Sequence, residues 1–135
     1  MSAHKPLEGV KVVELASFVA APTAGRMMAE MGADVIRVES PAGDPWRFYG
    51  ANCGLPITDE ENPLFDIYNL GKKDIQLNTK TPEGKEILFH LLDEADVFIT
   101  NNRLKSLVRS GLDYESLKDR FPKLIYGLVT GYGQT

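Results

Sequence analysis

The sequence has little of what many catalytic and assembly chemistries require. It holds one cysteine, Cys53, so no disulfide can close within the chain, and a reducing, cytoplasmic setting is the expectation. Cys53, His4 and His90 share no metal-binding spacing, and no metal site is expected. A Cys–His nucleophile pair would need a polarising partner that the sequence does not place beside them. There is no basic surplus: the formal net charge is −4, which argues against a general nucleic-acid binder. No apolar run approaches about 18 residues, so no membrane-spanning helix is expected. The opening Met1-Ser2-Ala3-His4-Lys5-Pro6 lacks the apolar core of a secretory leader. The Gly-x-Gly-x-x-Gly fingerprint is also missing after the first predicted strand, which weighs against a dinucleotide-dependent oxidoreductase.

What is present is an ordinary globular composition, 43% hydrophobic and 25% charged over 135 residues, enough for one domain with one core. Residues 11–15 (Lys-Val-Val-Glu-Leu) and 34–39 (Asp-Val-Ile-Arg-Val-Glu) read as strands. Between them, Ala16 to Pro22 reads as a turn, Thr23 as a helix cap, and Ala24, Met27, Met28 and Met31 as a helical stripe ending at Gly32. Strand, helix, strand makes a βαβ unit with parallel strands. Residues 40–63 read as a long loop and 64–70 as a short helix. Strands follow at 74–77, 96–100 and 124–130. Thr81-Pro82-Glu83 is a strong helix start. Helices are also expected at 104–110, stopped by Gly111, and at 114–120, capped by Asp113. This alternation predicts an α/β, Rossmann-like, doubly wound and mostly parallel sheet, in which ligands bind beyond the carboxyl ends of the strands.

Those ends carry the candidate chemistry. Residues 16–22 are small enough for close backbone approach, and a helix start presents free amides to an anion; tight strand–helix packing is the competing reading. Gly43-Asp44-Pro45-Trp46-Arg47 could clamp a ligand, with the only tryptophan either stacking on a base or simply packing. Lys72, Lys73 and Lys80 could neutralise phosphates or form a solvated face. Asn101, Asn102 and Arg109 could hold a nucleotide, or the asparagines could serve the turn. The 19 Asp and Glu are spread along the chain, and no pair stands out as an acid/base couple.

Taken together and in order, several motifs resemble the N-terminal region of the class III CoA-transferases (the formyl-CoA, carnitine and 2-hydroxy-acid CoA-transferases). They are residues 7–15 (Leu-Glu-Gly-Val-Lys-Val-Val-Glu-Leu), Ala21-Pro22, residues 31–39 (Met-Gly-Ala-Asp-Val-Ile-Arg-Val-Glu) and Gly43-Asp44. Asn69-Leu70-Gly71-Lys72-Lys73, residues 80–85, Ala95-Asp96-Val97 and Gly131-Tyr132-Gly133 complete the set. Phe18 with Ala20-Ala21-Pro22, Glu61-Asn62 and residues 112–115 look most like the branch that acts on phenyllactate and 2-hydroxyisocaproate.

The resemblance implies a transferase that exchanges CoA between an acyl-CoA and a small, 2-hydroxy carboxylic acid. In the family an aspartate attacks the acyl-CoA thioester to give a mixed anhydride. CoA then takes the enzyme carboxyl as an aspartyl-CoA thioester, which the acceptor acid attacks in turn. That aspartate lies some tens of residues beyond the Gly-Tyr-Gly motif, so no catalytic residue is assigned within the chain. Coenzyme A, as substrate, is the implied ligand. Phe18, Val19 and Ala20 match its first-turn contacts, Leu77 and Lys80 those after the third strand, and Asn101, Asn102 and Arg109 those around the nucleotide and phosphates. Val19, Asn102 and Ser40 replace the glutamine, aromatic residue and arginine of the formyl-CoA enzymes. The implied parent is a homodimer of interlocked chains, with neither nucleic acid nor membrane as partner. Residues 1–135 are expected to be its truncated CoA-binding domain, inactive alone and inclined to self-associate. The alternative reading is a stand-alone nucleotide- or CoA-binding module without catalysis.

Overall fold

The computed structural model describes residues 4–58 and 60–133. The opening Met1-Ser2-Ala3 and the closing Gln134-Thr135 lie outside the described residues. Five strands form one sheet: β1 Lys11–Leu15, β2 Asp34–Glu39, β3 Lys73–Gln76, β4 Val97–Thr100 and β5 Ile125–Leu128, in the order β3-β2-β1-β4-β5. All four pairings are parallel, with Val13 opposite Ile36 on one side and Phe98 on the other. Six α-helical segments connect them among the described residues: α1 Ala20–Glu30, α2 Trp46–Tyr49, α3 Pro63–Asn69, α4 Pro82–Asp93, α5 Leu104–Ser110 and α6 Tyr114–Leu117. The α/β class and doubly wound topology are as expected.

The central strands β1, β2 and β4, covered by helices on both sides, bury both faces, which explains their largely apolar runs, while the edge strands β3 and β5 are more exposed. Alternate residues of each strand enter different cores. Val13, Leu15, Val38 and Phe98 meet Leu88 and Leu92 of α4, Leu107 of α5 and Leu117 of α6. Val12, Val35 and Ile99 pack with Ala21 of α1 on the other face.

Helix ends follow their local signals in most places. Thr81 caps α4, its hydroxyl accepting from the Gly84 amide (3.1 Å), with Pro82 at the first helical position. Gly32 and Gly111 adopt the positive φ expected of helix stops, 103° and 67°. Asp113 stands at the start of α6, but its carboxylate accepts from the Ser116 hydroxyl (2.5 Å) rather than from a backbone amide. That helix ends at Leu117, three residues short of the expectation.

The start of α1 differs from the sequence reading. Val19, not Thr23, is its cap, and the turn after β1 is confined to residues 16–19. Pro22 is tolerated because amides in a first helical turn have no intrahelical partner to lose. Thr23 instead bonds back along the helix, its hydroxyl donating to Val19 O (2.7 Å). The loop after β2 also contains more order than expected: α2 and a 3-10 turn, Gly50–Cys53, fold within it.

Candidate functional site

A cleft of about 410 Å³ opens beyond the carboxyl ends of the strands, beside the point where the strand order reverses between β1 and β4. Ala16 and Ser17 follow β1 into its wall, Ser40, Gly43 and Asp44 follow β2, Leu77, Thr79 and Lys80 follow β3, and Asn102 follows β4. Leu15, Val38, Leu107 and Leu112 supply apolar wall, while Ser106 and Ser110 bring hydroxyls from α5. An adjoining depression of about 490 Å³ shares Thr79, Lys80, Ser106 and Ser110 and adds Lys85 and Arg109. Three cations therefore gather at one side of an otherwise mostly apolar cleft.

The turn after β1 is held from two directions. Asn101 grips one residue, its Nδ2 donating to Ser17 O (2.8 Å) and its Oδ1 accepting from the Ser17 amide (3.0 Å). The Phe18 amide donates to both carboxylate oxygens of Asp44 (3.2 and 3.1 Å). Phe18 has φ of 61°, the one non-glycine residue in the left-handed region among the described residues. Beyond it, the amides of Val19, Ala20 and Ala21 have no acceptor among the described residues, as the open end of a helix requires. Ala21 is fully buried, so the amides of Val19 and Ala20, rather than those of Ser17 and Phe18, are the ones free to meet an anion.

Behind the turn lies a buried charge cluster. The Arg37 side chain, 0% exposed, pairs with Glu14 (3.3 Å), Glu39, Asp44 and Asp74 (3.1 Å). Its Nε is buried without a hydrogen-bond partner. Arg47 bonds Glu39 (2.7 Å) and Asp74 (3.0 Å) and lies 3.7 Å over the Phe65 ring. Lys72 reaches Glu14 (2.8 Å), Pro22 O (2.9 Å) and Asn69 Oδ1 (3.0 Å) with its side chain 1% exposed. It is thus neither a free phosphate ligand nor part of a solvated face; Lys73 takes the exposed role, paired with Asp34.

Four carboxylates around three cations cannot all be charged at equal ease. Burial pushes the Asp74 carboxyl up to about 6, helped by its neighbour Glu39. For Glu39, burial works upward, but the Arg47 hydrogen bond and the Arg37 charge outweigh it and hold the group below its usual value. The two neighbours are thus pushed apart, Asp74 holding its proton to higher pH than Glu39. Burial also raises Glu14 and lowers Lys72, against the attraction between them. With these acids engaged by arginine and lysine, no group of three or more His, Cys, Asp or Glu among the described residues is arranged to hold a metal ion.

The fold and cleft have known counterparts. Residues 7–135 match the family model for CoA-transferase family III. The chain belongs to this family. It is 54% identical over 126 residues to the cinnamoyl-CoA:phenyllactate CoA-transferase of Clostridium sporogenes, covering 93% of the chain and 31% of that protein. It is 47% identical over 128 residues to the (R)-2-hydroxy-4-methylpentanoate CoA-transferase of Clostridioides difficile, covering 95% of the chain and 32% of that protein. A crystal structure of a CAIB/BAIF family protein from Brucella suis superposes with a TM-score of 0.89 at 45% identity, covering 98% of the chain and 35% of its own. The chain thus spans about a third of the length of the curated CoA-transferases it matches.

The residues expected to bind CoA are only partly gathered. Leu77, Lys80 and Asn102 line the cleft, and Arg109 lines the adjoining depression. Phe18, Val19 and Ala20 stand on the turn beside it, Phe18 being 46% exposed. Both polar atoms of the Asn101 side chain are occupied by Ser17. Trp46 is packing: it stacks on Tyr49 (4.7 Å), meets Tyr68 edge-on and donates to Leu64 O (3.1 Å). Sequence reasoning missed the roles of Arg37, Glu39, Asp44 and Lys85. The signal available was Glu14, Arg37 and Glu39 at alternate positions of strands otherwise apolar on both faces.

Proposed function

We propose that this chain is the CoA-binding part of a CoA-transferase that exchanges CoA between an acyl-CoA and a 2-hydroxy carboxylic acid. The observation that carries the reading is the cleft at the strand ends, with an apolar wall of Leu15, Val38, Leu77, Leu107 and Leu112 and bordered by Lys80, Lys85 and Arg109. A CoA ester needs that combination: a wall for its pantetheine chain and cations for its phosphates. Leu77 contacts the apolar chain, Lys80 and Arg109 the phosphates, and Asn102 the nucleotide. Phe18, Val19 and Ala20 border the thioester end, where the free amides of the α1 start face developing negative charge. Asn101 supports that turn through Ser17. The likeness to the phenyllactate and 2-hydroxy-4-methylpentanoate enzymes supports a 2-hydroxy acid as acceptor.

The transfer runs through an aspartyl-CoA thioester whose aspartate is outside residues 1–135, and the working parent is a homodimer. No carboxylate of the cleft is available for that role, since Glu39 and Asp44 are both held by Arg37. The 135-residue chain is expected to bind CoA in the micromolar range and to show no transfer from cinnamoyl-CoA to phenyllactate. Titration calorimetry with CoA, repeated on Arg109→Ala, tests the binding; about a tenfold loss is expected for the variant. Equal affinity in both proteins, or turnover by the pure chain, overturns the reading.

A further inference from the structure

We propose that Asp44 is a positioning residue: it holds Phe18 in the left-handed conformation and thereby sets where the Val19 and Ala20 amides of the α1 start stand beside the cleft. The proposal rests on the CoA-binding reading for what the turn serves, and on geometry for how the turn is held.

The geometry begins with an unfavourable backbone. A bulky residue at φ of 61° is costly outside glycine, and the one aromatic contact of the Phe18 ring, with Trp46 (6.2 Å between centroids), leaves it 46% exposed. Hydrogen bonds therefore enforce it. The Phe18 amide points at a carboxylate that is itself buried, Asp44 being 3% exposed, and it reaches both oxygens. A bond to a charged acceptor is roughly twice as strong as one to a neutral acceptor. Asp44 is in turn fixed from three sides. Arg37 pairs with its Oδ2, its own amide donates to Glu39 (3.1 Å), and the Trp46 amide donates to its Oδ1 (2.8 Å). Asn101 fixes the preceding residue independently from the far side of β1.

The consequence is a division of amides. Those of Ser17 and Phe18 are occupied by Asn101 and Asp44, which leaves those of Val19 and Ala20 as the accessible, unoccupied amides of the helix start. Were Phe18 to relax to negative φ, the chain would enter α1 at a different angle and those two amides would turn with it. Asp44 itself stands in the cleft wall, so exchange of the Phe18 amide is the readout that separates its hold on the turn from direct contact with a ligand.

The test combines amide exchange with a suppressor. In the 15N-labelled chain, the Phe18 amide is expected to exchange slowly, like a core amide such as Val13. In Asp44→Asn, which keeps an acceptor of the same shape but loses the charge, Phe18 exchange is expected to accelerate about tenfold or more while Val13 is unchanged. CoA affinity is expected to fall about tenfold in step. Glycine adopts positive φ without strain, so in a Phe18→Gly background the same Asp44→Asn change is expected to cost under about threefold in affinity. A residue that merely capped the Trp46–Tyr49 helix would lower the melting temperature equally in both backgrounds and leave Phe18 exchange alone; that outcome overturns the proposal. An unprotected Phe18 amide in the unaltered chain overturns it as well, whether or not the variant folds. A protected Phe18 amide that accelerates in Asp44→Asn supports the clamp even where CoA fails to bind, an outcome that overturns the functional reading alone.

Discussion

At the scale of single residues, the buried Glu14–Lys72 contact shows how tightly charge and backbone are fitted together. Gly25 sits within α1 where a Cβ would lie 1.8 Å from Glu14 Oε2 and 3.3 Å from the Lys72 stem. Only a residue without a side chain lets the helix approach that carboxylate. Gly25→Ala, which by helix propensity alone should help by roughly 1 kcal/mol, is therefore expected to destabilise the chain instead. Reversal of sign in a urea melt is the check. Lys72→Met leaves Glu14 buried with only the Arg37 Nε contact at 3.3 Å, and is expected to cost about 3–5 kcal/mol in the same experiment. Pairing it with Glu14→Gln should recover part of that loss, because a buried carboxylate no longer lacks its partner.

Among the secondary-structure elements, α4 is the most completely specified by local chemistry. Thr81 accepts from the Gly84 amide and donates to Asn78 O (3.0 Å), Pro82 opens the helix, and Leu88 and Leu92 bury its inner face. Removing the cap in Thr81→Ala should cost about 1 kcal/mol, readable as a lowered denaturation midpoint at unchanged slope. The same helix carries Lys85 toward the depression that holds Lys80 and Arg109. Replacement of Lys85 by Met is expected to leave stability within about 0.5 kcal/mol, since it is a surface change. It should also lower CoA affinity several-fold at low salt, with the deficit shrinking as salt screens the site.

For the whole molecule, the cluster around Arg37 couples stability to pH. The Asp74 carboxyl rises from the usual 3.8 to about 6 in the folded chain, so the fold binds that proton more tightly than the unfolded chain does. Its contribution is thus fully favourable below about 4 and is lost as pH rises through about 6. Glu39 has the opposite sign, being held below its usual value by the Arg47 hydrogen bond and the Arg37 charge against the upward push of burial. Asp74→Asn mimics the protonated form. It is expected to be more stable than the unaltered chain by about 1 kcal/mol at pH 7, the figure being reduced for a side chain 31% exposed, and to lose that advantage at pH 4.5. Equal pH slopes for the two melting curves between those values would count against the assignment of the proton to Asp74.

The alternation of strands and helices, the parallel sheet, the α4 and α5 boundaries and the family were legible in the sequence by itself. Each rests on short-range patterns: β-rich runs such as Asp34–Glu39, the Thr81-Pro82-Glu83 start, Gly111 as a stop. The position of the cleft was legible too, because parallel topology places loops from Ala16, Ser40, Leu77 and Asn102 at one end. Three things needed the tertiary structure. The start of α1 moved from Thr23 to Ala20, since the sequence offers a good cap but the strand pairing of β1 decides where the chain is free to turn. Lys72 became a core residue, although its neighbour Lys73 is a surface one. Asn101 and Asp44 became holders of the Ser17–Phe18 turn from opposite ends of a long stretch of chain. Each of these depends on which groups meet across the sheet at a few ångströms, and the strength of buried charge and hydrogen-bond interactions is set by that separation and by the loss of water around it, neither of which is written in local sequence.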